Sequence, residues 1–166
     1  MYPERAEFDA ILELIGRHGV EYILVGGLAA ILDGASVMTN DVDIVHSQTP
    51  DNVQRLLAAL EDLDAHARPS GAIKKRPNAT HLTVPGHLLL MTRFGKLDVR
   101  ARIGNDESYD DLLPHSLEMD AGAGRPVRVL DLETLIRIKE ATGLEVDRAA
   151  LPLLRRTLDE RKRRGI

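Results

Sequence analysis

Two aspartates alternate with aliphatic residues at Asp41-Val42-Asp43-Ile44-Val45. Read as a strand, this stretch puts both carboxylates on one face and Val42 and Ile44 on the other. The Cα atoms of the two acids then lie about 6.5–7 Å apart. One face of such a strand needs a core, and the other cannot enter one. Unpaired carboxylates at that spacing repel each other, and a divalent cation relieves the repulsion. Hard oxygen ligands suit Mg²⁺ or Mn²⁺.

The residues before this pair sharpen the constraint. Tyr22-Ile-Leu-Val25 is a short apolar run that reads as a buried strand. Gly26-Gly27 ends it, and Leu28–Leu32 reads as a short helix stopped near Gly34. Glycines allow a phosphate to approach the backbone, and a helix start offers free N–H groups. An anion cradle followed by a cation site describes a metal–triphosphate site. Two carboxylates seldom complete such a centre, and a third is expected on a neighbouring strand. Asp98, in Phe94-Gly-Lys-Leu-Asp-Val-Arg100, sits in a strand-like pattern where an aspartate is otherwise unfavourable. An Asp-x-Asp alone is a weak signal. The ordered set of strand, diglycine, short helix and alternating acids is much more specific.

The rest of the chain alternates helices and short strands. Phe8, Ile11, Leu12 and Ile15 recur at helical spacing, so residues 3–18 read as a helix with Pro3 in its first turn. Thr49 can cap a helix with Pro50 at its first position, and Val53, Leu56, Leu57, Leu60 and Leu63 mark its apolar face. His81–Val84, His87–Thr92 and Lys96–Val99 read as strands, Gly104–Glu107 as a loop, and Gly122-Ala-Gly-Arg125 as a turn before a strand at Pro126–Leu130. Asp131 caps a helix ending at Thr142 before Gly143, and a last helix starts near Asp147 or at Pro152. The pattern argues one α/β or α+β domain over residues 1–166.

Composition removes several alternatives. The 166-residue chain has no cysteine, which excludes disulfides, thiolate zinc sites and cysteine nucleophiles. Its first ten residues are charged and lack the apolar run of a signal peptide. No stretch approaches the ~18 apolar residues of a spanning helix, so no membrane partner and a cytoplasmic location are expected. A net charge of −4 argues against sequence-independent coating of nucleic acid. Aromatic residues at 3% leave few platforms for stacking bases.

Gly26-Gly27 followed by Asp41-Val-Asp43-Ile resembles the hallmark of the DNA polymerase β-like nucleotidyltransferase superfamily. Thr39-x-Asp-Val-Asp-Ile-Val45, followed by Pro50-Asp-Asn-Val-Gln-Arg-Leu-Leu-Ala-Ala-Leu60, is similar to small prokaryotic AbiEii-like nucleotidyltransferases, many of them linked to toxin–antitoxin systems. Phe94-Gly-Lys-Leu-Asp98 resembles their third-acid segment, and Val129–Lys139 their penultimate helix. The likeness runs from about Tyr22 to Leu158. It implies a minimal nucleotidyltransferase fold: a mixed sheet flanked by helices, with a core over about 20–130 and two C-terminal helices within 131–164. It implies Asp41, Asp43 and Asp98 as catalytic metal ligands, with Mg²⁺ or Mn²⁺ and an NTP as substrate. Gly26, Gly27, Thr39 and Lys139 become the nucleotide-binding set. The implied reaction moves an NMP to a hydroxyl of RNA, tRNA or protein, with a cognate antitoxin as a partner. Gly27 stands where many members carry Ser, Val37 where Arg is common, and Leu144 and Val146 where basic residues are usual. These losses keep two alternatives open, a small-molecule antibiotic acceptor and a catalytically inactive binding module.

None of the six histidines has a metal-binding sequence spacing. His81 and His87 flank the Pro85-Gly86 turn and are placed to face a cleft, with no catalytic role assigned. Arg100 shares the face of Asp98 by period 2, so it pairs with Asp98 or with phosphate. Lys74-Lys75-Arg76 reads as a solvated loop. The cations Arg155, Arg156, Arg161, Lys162, Arg163 and Arg164 suit the negative end of a helix dipole better than an RNA surface.

Overall fold

A computed structural model describes residues 6–69, 73–122 and 125–166. Helix α1 spans Phe8–Arg17 and buries Ile11, Leu12 and Ile15. It starts later than helical spacing suggests because the backbone before it is taken elsewhere. Ala6 N–H donates to the Asn40 carbonyl (3.1 Å) and Glu7 N–H to the Phe94 carbonyl (2.7 Å). Pro3 lies outside the described residues, as do residues 123–124 of the expected turn before Pro126.

Strand β1, Tyr22–Val25, is buried along its whole length and passes directly into α2, Gly26–Leu32. Strand β2 is Asp41–His46. Helix α3, Pro50–Asp62, begins as expected, with the Thr49 side chain accepting from Asn52 N–H and Pro50 in the first turn. Strand β3 is the short His66–Ala67. Next comes a correction, because His81–Val84 is not a strand. Helix α4 spans Ala79–Thr83, nucleated by a reciprocal cap in which Asn78 accepts from His81 N–H and His81 Nδ1 accepts from Asn78 N–H. Of the two apolar residues in His81–Val84 only Leu82 is buried, while Val84 is exposed. An alternation of two was too short to outweigh the cap.

Strands β4, His87–Thr92, and β5, Gly95–Arg100, form a tight hairpin. The loop expected at Gly104–Glu107 is, over residues 104–106, the turn of a small hairpin between β6, Arg102–Ile103, and β7, Glu107–Ser108. Helix α5, Tyr109–Leu112, and one 3₁₀ turn lead to β8, Ser116–Asp120, and β9, Pro126–Leu130. Helix α6, Leu132–Thr142, is capped by Asp131 accepting from Thr134 N–H (2.7 Å) and stopped by Gly143 in the left-handed region. Helix α7 runs Glu145–Arg164, with Pro152 inside it rather than at its start. A proline within a helix forfeits one backbone bond. Leu151 and Leu154 on either side of it are buried and hold the helix to the body.

The described strands build a mixed seven-stranded sheet ordered β3-β4-β5-β2-β1-β9-β8. Pairs β2/β5 and β1/β9 are parallel, and the other pairs are antiparallel. This is the expected α/β architecture with two closing helices. In the central strands Val42, Ile44, Leu97 and Val99 are buried on the face opposite the acids. Helix α2 contacts β1, β2 and α6, so the diglycine segment is wedged between the sheet and the C-terminal helices.

Candidate active site

Register across the sheet brings the acids together. Val25 pairs with Asp43, Asp43 with Asp98, and Asp98 with Leu89, across β1, β2, β5 and β4. Directly paired residues present their side chains on the same face. Asp41, two residues before Asp43, shares that face and pairs with Lys96. A cleft of about 410 Å³ opens there, with Gly26, Gly27, Asp41, Asp43, Asp98 and Lys139 all on its wall. Arg100 and Leu144 also line it.

Packing accounts for both glycines. Gly26 has φ of +71°, a left-handed conformation, and a Cβ there would stand 2.4 Å from Asp43 Oδ2. A Cβ on Gly27 would meet Thr39 Cβ at 2.8 Å and Thr39 Oγ1 at 2.9 Å. The Thr39 hydroxyl therefore fills the space that a side chain at position 27 would need. It also donates to Asp41 Oδ1 (3.0 Å), which fixes that carboxylate at the start of β2.

The electrostatics are those of two crowded carboxyls, one of which keeps its proton. Burial, then the carboxylates of Asp41 and Asp98, push the Asp43 carboxyl up to about 8, while the Arg100 guanidinium pulls against them. A hydrogen bond with Asp98 adds to the rise. For Asp98, burial raises the carboxyl, but the His87 imidazole, the Arg68 guanidinium and the contact with Asp43 outweigh it and hold Asp98 below the usual range. Arg68 Nη2 is bonded to Asp98 Oδ1. His87 Nε2 lies 3.5 Å from Asp98 Oδ2. One ligand atom each from Asp43, His87 and Asp98 lie within 4.8 Å of one another. Two buried carboxylates in direct contact, with hard oxygens and one imidazole nitrogen around them, fit a divalent cation.

Several other sequence expectations can be placed. Arg100 does not pair with Asp98 among the described residues. That position belongs to Arg68, and Arg100 Nε is buried without a hydrogen-bond partner among the described residues. Lys74 and Arg76 both bridge to Asp64, as a solvated loop would. On α7, Arg155 pairs with Glu140, Lys162 with Glu133 (3.9 Å), and Arg161 donates to the Asp33 carbonyl (2.6 Å). Sequence reasoning missed Arg68, which follows a two-residue strand and belongs to no motif. It also gave no role to His87. Counting the β4–β5 hairpin outward from its turn would have put His87 one alternation from the residue opposite Asp98.

Residues 6–74 match the family model described as "Nucleotidyltransferase of unknown function (DUF6036)". The match includes Gly26, Gly27, Thr39, Asp41 and Asp43 and ends before Asp98. Solved structures extend the likeness over nearly the whole chain. The lincosamide antibiotic adenylyltransferase LnuA superposes with a TM-score of 0.62 at 19% identity, covering 92% of this chain and 98% of that one. The chain has the nucleotidyltransferase fold. The Thermotoga maritima protein TM1012, described as a nucleotidyltransferase, gives 0.57 at 20% identity over 96% and 98% of the two chains. The antibiotic-resistance factor ANT(2'')-Ia gives 0.53 at 14% identity over 91% and 84%. No curated protein matches the sequence. The segment match and the shared fold together support a nucleotidyltransferase. No helix among the described residues is long and apolar enough to cross a membrane.

Proposed function

We propose that the protein is a metal-dependent nucleotidyltransferase that moves an NMP from an NTP to an acceptor hydroxyl and releases pyrophosphate. The observation that carries this reading is the direct register of Asp43 with Asp98 on the wall of a cleft also lined by Gly26 and Gly27. Asp41, Asp43 and Asp98 are the groups that would hold a divalent cation, which supplies charge for the triphosphate and lowers the pKa of the attacking hydroxyl. Gly26 and Gly27 present bare backbone, so the phosphate chain can lie against them. Thr39 keeps the Asp41 carboxylate aimed at the cleft. Lys139 approaches from α6 and offers positive charge to the phosphates. Asp98, held ionised beside Arg68 and His87, would act with the cation to lower the pKa of the acceptor hydroxyl, whose proton passes to solvent as the new phosphorus–oxygen bond forms and the bond to pyrophosphate breaks.

For the acceptor we propose a hydroxyl of RNA, tRNA or protein, as the resemblance to AbiEii-like toxins implies, with a cognate antitoxin as partner. A small antibiotic-like alcohol is the second reading, and two observations favour it. LnuA and ANT(2'')-Ia, which share the fold, are described as antibiotic-modifying or resistance proteins. Leu89, opposite Asp98 on the same face, is 41% exposed and gives an apolar resting place beside the third acid.

The test incubates each α-labelled NTP with the protein and, separately, total RNA, a protein extract, and a panel of lincosamides and aminoglycosides. Label that moves into one class with wild-type protein and not with Asp41→Ala identifies the acceptor. Absence of transfer in every arm, alongside Mg²⁺-independent NTP binding, would favour a non-catalytic binding module.

A further inference from the structure

His87 has no part in the three-acid reading, yet its imidazole faces the Asp98 oxygen that Arg68 leaves open. Arg68 Nη2 takes Asp98 Oδ1, and His87 Nε2 faces Oδ2 at 3.5 Å. That separation is longer than the roughly 2.7–3.2 Å of an N–H···O hydrogen bond. It is a natural distance for two donors on one ion. Ligands about 2.1 Å from a metal stand roughly 3 Å apart at right angles and roughly 4.2 Å apart when opposite. The three donor atoms of Asp43, His87 and Asp98 lie within 4.8 Å of one another, so a small contraction suffices to converge them. Access also differs along the cluster. The Asp98 side chain is 7% exposed, whereas that of His87, at the first position of β4, is 38% exposed. The cleft reaches Asp43 and Asp98 directly, and His87 stands beside them at the protein surface.

We propose that His87 Nε2 is a direct ligand of the cation shared by Asp43 and Asp98, making that site a mixed nitrogen–oxygen centre that prefers Mn²⁺ or Co²⁺ to Mg²⁺. The inference rests on the metal-binding reading above and adds the donor that sets the choice of ion. Mg²⁺ is served best by oxygen donors, whereas imidazole raises affinity along the first-row series from Mn²⁺ to Co²⁺. An aspartate–aspartate pair alone would confer a weaker preference.

The experiment titrates metal-free protein, without nucleotide, with Mn²⁺, Co²⁺ and Mg²⁺ by calorimetry, and follows the visible absorption of bound Co²⁺. Wild-type protein is expected to bind Co²⁺ and Mn²⁺ at least about tenfold more tightly than Mg²⁺. His87→Ala should lose about tenfold or more for Co²⁺ and Mn²⁺, change little for Mg²⁺, and shift the Co²⁺ absorption. His87→Asp replaces the nitrogen by oxygen, and should restore binding with the margin of Co²⁺ and Mn²⁺ over Mg²⁺ narrowed relative to wild type. An equal loss for all three ions in His87→Ala would show that the imidazole only positions Asp98, and unchanged binding would remove it from the site. Either result overturns the proposal while leaving the three-acid reading in place. Absence of any metal binding to the wild type, checked against Asp43→Ala, would overturn both.

Discussion

Asp43 and Asp98 are register partners on adjacent parallel strands, and their carboxyls share a hydrogen bond. Neighbouring strands lie about 4.8 Å apart, so the pair cannot relax by moving the backbone. The sheet that makes the fold stable therefore holds two acids at a spacing they would not choose.

That tension gives the first prediction. In metal-free protein, burial and the acidic neighbours force the Asp43 carboxyl to keep its proton up to about pH 8, a cost that Asp43→Asn removes while keeping the shape and a hydrogen bond. Each kcal/mol of relief raises the Tm of a chain this size by about 2–4 °C. Thermal unfolding in chelator should show the variant a few degrees above wild type. Adding Mn²⁺ should reverse the order, because only the wild type gains stability from the ion. A variant less stable than wild type in chelator would contradict the repulsion argument.

Gly26 tests the backbone side of the same contact. Its φ of +71° costs an L-residue roughly 1–2 kcal/mol. The added methyl of Gly26→Ala would also stand 2.9 Å from Asp43 Cγ, forcing the carboxyl to turn. We expect a Tm loss of several degrees and a loss of Mn²⁺ affinity of about tenfold or more, read by calorimetry on the folded variant. Unchanged metal affinity would separate Gly26 from Asp43 function.

Thr39→Val keeps the volume beside Gly27 and removes only the hydroxyl that donates to Asp41 Oδ1 at 3.0 Å. Hydrogen bonds to a charged group are worth about 1.5–3 kcal/mol, less where water competes. The fold should survive with a Tm within a few degrees of wild type. NTP-dependent metal binding should weaken several-fold, since the Asp41 carboxylate is free to rotate away. If binding holds while Asp41→Ala abolishes it, Thr39 is a packing residue only.

Much of this arrangement was legible in the residues themselves. Alternation at Asp41–Val45, the fully apolar Tyr22–Val25 and the caps at Thr49 and Asp131 are local signals, and each corresponds to an element in the structure. Where local signals compete, pattern reading failed. The Asn78–His81 cap overrode a strand-like His81–Val84, and tertiary bonds at Ala6 and Glu7 delayed α1. Position in the site is harder still. Asp98 carries a visible anomaly, an acid in an apolar strand, whereas Arg68 and His87 are ordinary residues made significant only by strand order. Register between β3, β4 and β5 depends on hairpin pairing, which no short motif encodes.

A last prediction concerns Asp33, far along α2 from the diglycine. It caps the end of that helix, is only 4% exposed, and its Oδ2 is buried with no hydrogen-bond partner among the described residues. Burial pushes its carboxyl up to about 7, with the Arg161 guanidinium pulling it back and Asp131 adding to the rise. The folded state thus holds this proton more firmly than the unfolded chain, whose aspartates titrate near 3.9. Stability from the neutral carboxyl is fully present below about pH 4 and is lost as pH rises towards 7, a swing of up to about 4 kcal/mol. Asp33→Asn cannot ionise, so whatever its amide costs in packing does not vary with pH. The Tm of the variant relative to wild type should therefore climb by several degrees between pH 4.5 and pH 8, measured by scanning calorimetry in one ionic strength. A difference that stays flat across that range would mean that Arg161 compensates the buried charge in full.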